Sequence, residues 1–180
     1  MAAVSLISLL LAASVLSAAP ASAHGLGDLD LVSAIDALDR GDPTRALVLA
    51  TDTLAGPCTG EARAELKLVG ARAALALDDA EQALELLSGL EADLPEVADL
   101  VFDYRADALR QLGRWDEALA WWRDLVTRWR DSPLAPGARY SVADALYALG
   151  RLDEAGAAYE AALRASPRSA ASGALPSPGR

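Results

Sequence analysis

Few residues in this sequence have the side chains that active-site chemistry usually needs. The chain of 180 residues contains one histidine, His24, and one cysteine, Cys58. A nucleophilic serine or cysteine needs a histidine beside it as the base, and the usual zinc sites combine several histidines and cysteines, so both kinds of site are excluded. The glycines form no phosphate-binding loop pattern. We therefore expect no catalytic residue, no metal site and no cofactor in this chain.

Neighbouring carboxylates are the remaining residues that can carry out acid–base chemistry. Asp103 is close in sequence to Asp107, and Asp78 is close to Asp79 and Glu81. General acid–base catalysis needs an apolar pocket that raises the pKa of one carboxyl group above that of the other. Both sets fall where a solvated helix face or a turn is expected, so catalysis by this chain is not predicted.

Composition and charge narrow the function classes further. Apolar residues make up 53% of the chain and aromatic residues 5%, while 26 acidic and 16 basic residues give a net charge of -10. A chain of this length and apolar content can bury a core, but its acidic excess disfavours binding to nucleic acid. Between residues 24 and 100, 16 acidic and 5 basic residues give -11, whereas residues 101–180 carry +1. Solubility explains such an acidic half more simply than a partner does.

The first 23 residues have the pattern of a secretory signal peptide. Val4 to Leu16 is an apolar run of 13 residues, and the small residues 21–23 follow it. A membrane-spanning helix needs roughly 20 apolar residues, so this run is too short to span a bilayer. No Lys or Arg precedes the run, which is unusual for a signal. We expect residues 1–23 to be removed on export, leaving a periplasmic or secreted protein that begins at His24 and has no stable membrane insertion.

Cys58 lies 35 residues past the expected cleavage point, too far along the chain to be the lipid-bearing residue of a lipoprotein. It belongs to the segment Gly56–Gly60, which has the composition of a turn. A lone thiol in an exported chain is either a partly buried bystander or paired with another molecule. The sequence leaves both open.

A repeat of about 36 residues predicts the fold. The alanines Ala46, Ala83, Ala118 and Ala155 follow one another at intervals of 37, 35 and 37 residues. Five residues before each alanine stands a turn residue, and twelve after it a helix end is expected at or next to a proline in three units. The turn residues are Gly41, Asp78, Gly113 and Gly150, and the expected ends are Cys58, Pro95, Arg130 and Pro167. We expect four helix-turn-helix units, over residues 28–58, 64–95, 99–132 and 136–167.

These units resemble the tetratricopeptide repeats. The last two match best, by Phe102, Ala106, Leu109, Gly113, Ala118 and Trp122, and then by Val142, Ala143, Leu146, Gly150, Ala155, Tyr159, Ala162 and Pro167. The resemblance implies an all-α, right-handed solenoid of about four repeats over residues 24–167. No single repeat buries its own apolar face, so stacking of neighbours must supply the core.

The linkers resemble those of repeat proteins of the bacterial cell envelope. The clearest is Arg130–Pro136, which has two prolines and an Asp-Ser pair before a helix. The last two repeats are also similar to the helical amino-terminal region of soluble lytic murein transglycosylases. The resemblance implies two functions: an exported scaffold for protein–protein interaction, or the arm of a peptidoglycan-cleaving enzyme whose catalytic domain is absent from this chain. No Glu here precedes a Ser, as that family's catalytic Glu commonly does.

In the tetratricopeptide family the first helix of each repeat lines a concave groove that holds a protein or peptide partner. The resemblance assigns six residues to this groove: Asp103, Asp107, Arg110, Tyr140, Asp144 and Tyr147. Tyrosine gives a large contact area at low entropic cost, which favours Tyr140 and Tyr147 as anchors. Alternatively, Tyr147 packs beside the neighbouring helix. The chain contains no Asn, so the family's Lys and Asn clamp for a terminal carboxylate is not expected.

The four tryptophans fall within fifteen positions. Trp115, Trp122 and Trp129 recur every seven residues on an apolar stripe, which is typical of core residues. Trp121 falls off that stripe. It either packs on the fourth unit or stands exposed for a ligand such as a peptidoglycan sugar.

Residues 168–180 are rich in Ser, Ala, Gly and Pro and are expected to form a disordered tail. No polar capping helix follows the fourth unit. We expect its open face to meet a partner, unless the chain is a fragment of a longer protein.

Overall fold

The computed structural model describes residues 26–58 and 60–165, and all regular structure in these two segments is helical. The helices are α1 (Leu26–Asp39), α2 (Pro43–Ala55), α3 (Gly60–Ala76), α4 (Ala80–Leu87), α5 (Leu90–Asp93), α6 (Ala98–Gln111), α7 (Trp115–Arg128), α8 (Ala135–Ala148) and α9 (Leu152–Ala165), with a 3-10 turn at Pro95–Val97. Within these segments no helix is long and apolar enough to cross a bilayer. The predicted signal peptide (1–23), His24 and the predicted tail (168–180) lie outside the described residues.

Eight of these helices pair into four helix-turn-helix units. Unit one is α1 and α2, unit two is α3 and α4, unit three is α6 and α7, and unit four is α8 and α9. The second helix of each unit packs on the first helix of the next, and α3 also contacts both α1 and α6. This stacking confirms the predicted all-α solenoid of about four repeats.

The turn inside each unit has one residue in the left-handed conformation. These residues are the four that the repeat predicted, with φ values of +78° at Gly41, +58° at Asp78, +71° at Gly113 and +74° at Gly150. In unit three, the Gly113 N–H donates to the Arg110 carbonyl and the Arg114 N–H donates to the Leu109 carbonyl, at 2.9 Å each. These two bonds satisfy carbonyls that the end of α6 leaves without a helical partner.

Alanines that recur with the repeat are buried where the helices pack. Ala46, Ala83, Ala118 and Ala155 are each at most 1% exposed, so the predicted burial of the repeating alanine is confirmed. The first helices supply a second buried set at the same intervals: Ala34, Ala71, Ala106 and Ala143, all 0% exposed. A methyl group at each point lets two helix backbones approach closely and leaves no room for a longer side chain.

The two halves of the core differ in their side chains. Every Phe, Tyr and Trp lies between residues 102 and 159, so units one and two bury aliphatic groups such as Leu66 and Leu87. Unit three instead packs Phe102 and Trp122 with Leu125 against unit four. The core is therefore aliphatic at its amino-terminal end and aromatic at the other.

Unit two departs from the prediction of an unbroken second helix up to Pro95. α4 ends at Leu87, and the chain turns at Gly89, whose φ is +79°, before the four-residue α5. Leu90 and Leu94 beyond the turn are buried, at 0% and 3% exposure. Gly is a poor helix former, and the break allows both leucines to reach the core that a straight helix would carry them past.

The connector between units three and four is held by Ser132. Its hydroxyl donates to the Asp99 carboxylate at the start of α6 and accepts the Leu134 N–H at 3.0 Å. The Asp-Ser pair of this connector does not cap α8, because the residue before that helix is Leu134, which makes no side-chain cap. Ser132 instead ties the connector to unit three.

Candidate functional site

The six residues assigned to a partner-binding groove lie on the first helices of units three and four. Asp103, Asp107 and Arg110 are spaced along one side of α6, and Tyr140, Asp144 and Tyr147 along one side of α8, because residues three or four apart share a helix face. We call these six residues the first-helix face. Their assignment as a binding surface stays a prediction, but their geometry is defined.

Asp103 is the most buried carboxylate of the first-helix face. Its Oδ1 accepts a hydrogen bond from the Trp122 indole N–H at 3.1 Å. Burial raises the pKa of Asp103 to about 6, and the negative charges of Asp107 and Asp99 add to the rise, while the Trp122 hydrogen bond opposes it. The expectation that Asp103 lies on a solvated face is therefore wrong, since α7 packs beside it and places an indole against it.

Asp107 and Arg110 pair with each other one turn apart on α6. Arg110 donates from Nε and Nη2 to the Asp107 Oδ1, each at 2.7 Å, and the two side chains are 38% and 41% exposed. An exposed pair of this kind contributes about 0–1 kcal/mol to stability. The low cost of opening it leaves both charges able to turn to a ligand.

Aromatic residues dominate the α8 side of the first-helix face. Tyr147 is 64% exposed, so most of its ring faces solvent rather than a neighbouring helix. Asp144 accepts a hydrogen bond from the Tyr159 hydroxyl of α9, and this bond raises the pKa of Tyr159. Tyr140 is half-buried. Asp144 is exposed as well, so Tyr147 is the one aromatic residue of the three that presents a large surface to solvent.

Trp121 was left open between packing on unit four and exposure to a ligand, and the structure gives a third position. Its ring packs edge-on against Phe102 of its own unit, with centroids 4.6 Å apart, and the Arg105 guanidinium lies 4.6 Å from its centroid. Arg105 is held in turn by the Leu87 carbonyl at 2.6 Å and by Glu91. Trp121 is half-buried between Phe102 and Arg105, so an exposed sugar platform is not what the structure provides.

Sequence reasoning missed Tyr104 and Arg72, which adjoin the first-helix face. Burial raises the pKa of Tyr104, and the nearby Arg72 charge of α3 acts in the opposite direction. Tyr104 packs on the leucines and alanines of unit two. It lies one position after Asp103, outside the positions that the repeat assigns to the groove, so only the packing of α6 on α3 brings it and Arg72 together.

Comparison with known proteins identifies the architecture. A family model described as "Tetratricopeptide repeat" matches residues 68–132 and again residues 104–170, and together these matches cover more than half of the chain. The chain belongs to the tetratricopeptide repeat family.

Solved structures of other proteins have a similar fold. A structure described as MamA AMB-1 has a TM-score of 0.65 and 21% identity, over 77% of this chain and 77% of that one. A candidate kinesin light chain from Podosopora anserina with nearly identical TPR-like repeats has a TM-score of 0.65 and 20% identity, over 81% and 80% of the two chains. At such identities the likeness concerns the fold alone. No curated protein matches the sequence.

Within this tetratricopeptide repeat chain, unit two does not continue the first-helix face. The positions equivalent to Asp103, Asp107 and Arg110, 35 residues earlier, are Leu68, Arg72 and Leu75. Both leucines are buried, at 2% and 8% exposure, and Arg72 is half-buried. The charged and aromatic part of the face is therefore confined to units three and four, with Arg72 at its edge.

The remaining chemistry-bearing residues of the repeat array are dispersed. Within the segments that the structure describes, no three His, Cys, Asp or Glu side chains come together in a way that suits a metal ion. Cys58 is a half-buried free thiol between α2 and α3.

Proposed function

We propose that this chain is an exported, non-catalytic tetratricopeptide repeat scaffold that binds a segment of a partner protein on its first-helix face. The observation that carries the proposal is the 64% exposure of Tyr147 on the same helix face as Asp144. Large aromatic side chains that stand free beside charged groups are typical binding anchors. On α6, the exposed Asp107–Arg110 pair extends the set of groups that recognise a polar backbone or a charged side chain.

A peptide selection tests this function directly. Random peptides displayed on phage are selected on the purified chain, and the dissociation constants of the enriched peptides are measured by fluorescence polarisation. We expect Tyr147→Ala to weaken binding about ten-fold or more, the usual loss at an aromatic anchor.

The matched control is Val48→Ala, which removes an exposed apolar side chain from α2, far along the stack. Val48 is 51% exposed, so its truncation is expected to change neither folding nor binding by more than about two-fold. Peptides that bind equally well to the wild type and to Tyr147→Ala, or the enrichment of none, would contradict binding on the first-helix face.

Export is part of the proposal and rests on the sequence pattern of residues 1–23. Expression of the full chain in a bacterial host, followed by fractionation and amino-terminal sequencing, tests it. We expect a processed form that begins at His24 outside the cytoplasm. A full-length form that stays in the cytoplasm would remove export from the proposal and leave the scaffold role intact.

The comparisons give no support to the transglycosylase alternative, and we do not propose it. Its decisive test is the reading frame after Arg180: coding sequence for a domain with a Glu-Ser pair would favour the enzyme. Peptidoglycan binding was considered because of Trp121. Its ring is half-buried against Phe102, so it offers no open face on which a sugar could stack.

A further inference from the structure

A pocket of about 450 Å³ opens between α7, α8 and α9, on another side of the stack from the first-helix face. Its apolar lining comes from Val126, Val142 and the face of α9 from Ala158 to Ala165. Arg123 and Arg139 are the two lining residues that carry charge. Val142 falls on a different side of α8 from Asp144 and Tyr147, which follow it by two and five residues, since residues on one helix face are three or four apart.

Unit three shows what fills the equivalent space. With the interval of 37 residues between Ala118 and Ala155, Phe102 corresponds to Arg139, Trp121 to Ala158 and Arg105 to Val142. In unit three these positions are closed by aromatic packing: Phe102 lies 4.6 Å from Trp121 and 4.9 Å from Trp129 between ring centroids, and the Arg105 guanidinium covers Trp121. In unit four the positions of Phe102 and Trp121 hold an arginine and an alanine, so the pocket lies where these two rings stand in unit three.

The two arginines at the pocket favour a partner that carries a negative charge. Neither Arg123 nor Arg139 makes an ion pair in the part of the chain that the structure describes. Glu154 attracts Arg123, but both its oxygens accept from Arg151, at 2.8 and 2.6 Å. A carboxylate brought by a partner would therefore find two guanidinium groups beside an apolar cavity, the combination that favours an aromatic side chain next to an acidic one.

Neither the residues after α9 nor the acidic half of this chain contains an aromatic residue next to an acidic one. Residues 166–180 contain no aromatic and no acidic residue, although they follow directly after Ala165 at the pocket edge. The acidic half, residues 24–100, contains no aromatic residue either. We propose that the pocket between α7, α8 and α9 binds a partner-protein segment in which a Trp or Phe side chain stands next to Asp or Glu, the ring entering the cavity and the carboxylate pairing with Arg139 and Arg123.

The test uses the full chain and the probe peptide acetyl-Gly-Asp-Trp-Asp-Gly-amide, followed by ¹⁵N NMR. We expect shifts centred on Val126, Val142 and Ala158, with a dissociation constant on the order of 1 mM for so small an anchor. Replacing Trp by Ala in the probe is expected to abolish the shifts. Replacing both Asp residues by Asn is expected to weaken binding about five-fold.

Two variants locate the site. Ala158→Trp restores the ring found in unit three and is expected to weaken probe binding at least ten-fold by filling the cavity. Arg139→Gln leaves the apolar packing of the unit in place, so it reports even if Ala158→Trp fails to fold. It is expected to weaken the acidic probe about five-fold and to leave the Asn probe unchanged.

Three results would overturn the proposal. Shifts on Tyr147 and Asp144 instead of the pocket would assign the probe to the first-helix face, which would refute the pocket and leave the proposed function standing. Self-association of the chain that Ala158→Trp abolishes would make a second copy the occupant. Nuclear Overhauser contacts between Leu175 and Ala158 in the free protein would show that the chain's own tail fills the cavity.

Discussion

Replacing Asp103 by Asn should stabilise the protein at neutral pH. Asp103 has a pKa of about 6 in the folded chain, against 3.8 for an exposed Asp, because α7 buries it and Asp107 and Asp99 repel its charge. A shift of about two units corresponds to about 3 kcal/mol, and the partial exposure of the side chain reduces the expected effect to about 1–3 kcal/mol. Asn keeps the oxygen that accepts the Trp122 N–H, so the packing is retained.

The effect must depend on pH with a definite sign. Folding raises the pKa of Asp103, so between pH 4 and 6 the folded chain binds more protons at this group than the unfolded chain does. The contribution of Asp103 to stability is therefore present below about pH 4 and is lost as the pH rises through 6. Asp103→Asn lacks this loss, so the two proteins should be equally stable near pH 4 and diverge up to pH 7.

Urea unfolding between pH 4 and 7.5, followed by tryptophan fluorescence, measures the difference, because Trp122 contacts the substituted side chain. Asp124→Asn is the control: Asp124 forms an exposed ion pair with Arg128, and its loss should cost about 0–1 kcal/mol. An advantage of Asp103→Asn that is the same at pH 4 and pH 7, or a destabilisation at pH 7, would refute the assignment of a buried, charge-penalised carboxylate.

Four further substitutions test the packing, each by thermal or urea unfolding. Gly150→Ala should destabilise by about 1–2 kcal/mol, and Gly156→Ala in the middle of α9 should stabilise by about 0.5–1 kcal/mol. A new methyl group meets no atom within 4 Å at either site, so the two substitutions differ only in backbone conformation. Equal effects on stability would show that the left-handed turn at Gly150 is not the cause of the destabilisation. Ala118→Leu should lower the free energy of unfolding by about 1–3 kcal/mol by overpacking the contact of α7 with α6. An unchanged stability would mean that the two helices move apart to accommodate the larger side chain. Ser132→Ala should cost about 1–2 kcal/mol by removing its bonds to Asp99 and Leu134, and an unchanged midpoint would show that the connector does not depend on them.

The sequence predicted those parts of the fold that depend on a single local requirement. A left-handed turn needs Gly or a residue such as Asp78, and a close helix contact needs Ala, so both features are visible in the repeat. The break after Leu87 was missed because it depends on a competition between a continuous helix and the burial of Leu90 and Leu94. That competition is decided by the whole of unit two.

The candidate site was less accessible to sequence reasoning. The spacing of Asp103 fixed its helix face but not its depth, which Trp122 sets from another helix. The sequence placed Trp121 off the core stripe, but the structure packs it against the same core cluster as Trp115 and Trp129. Its position depends on Phe102 and Arg105, which lie on α6. The pocket beside Ala158 could not be predicted from the sequence. Unit four lacks the aromatic residues of unit three at two equivalent positions, but only the ring packing in unit three shows that these positions face one space.

The uneven distribution of aromatic side chains has a consequence for any spectroscopic study of this molecule. Neighbour-to-neighbour contacts hold repeat arrays together, so melting can proceed piecewise from one end. Intrinsic emission and near-ultraviolet dichroism originate entirely between residues 102 and 159. Tyr104 packs on α3 and α4, so both signals report on unit two, whereas a disordering of α1 and α2 alone would change them little. Far-ultraviolet dichroism registers all helices alike. A thermal midpoint that is lower by far-ultraviolet dichroism than by fluorescence would therefore show that the amino-terminal helices unfold first.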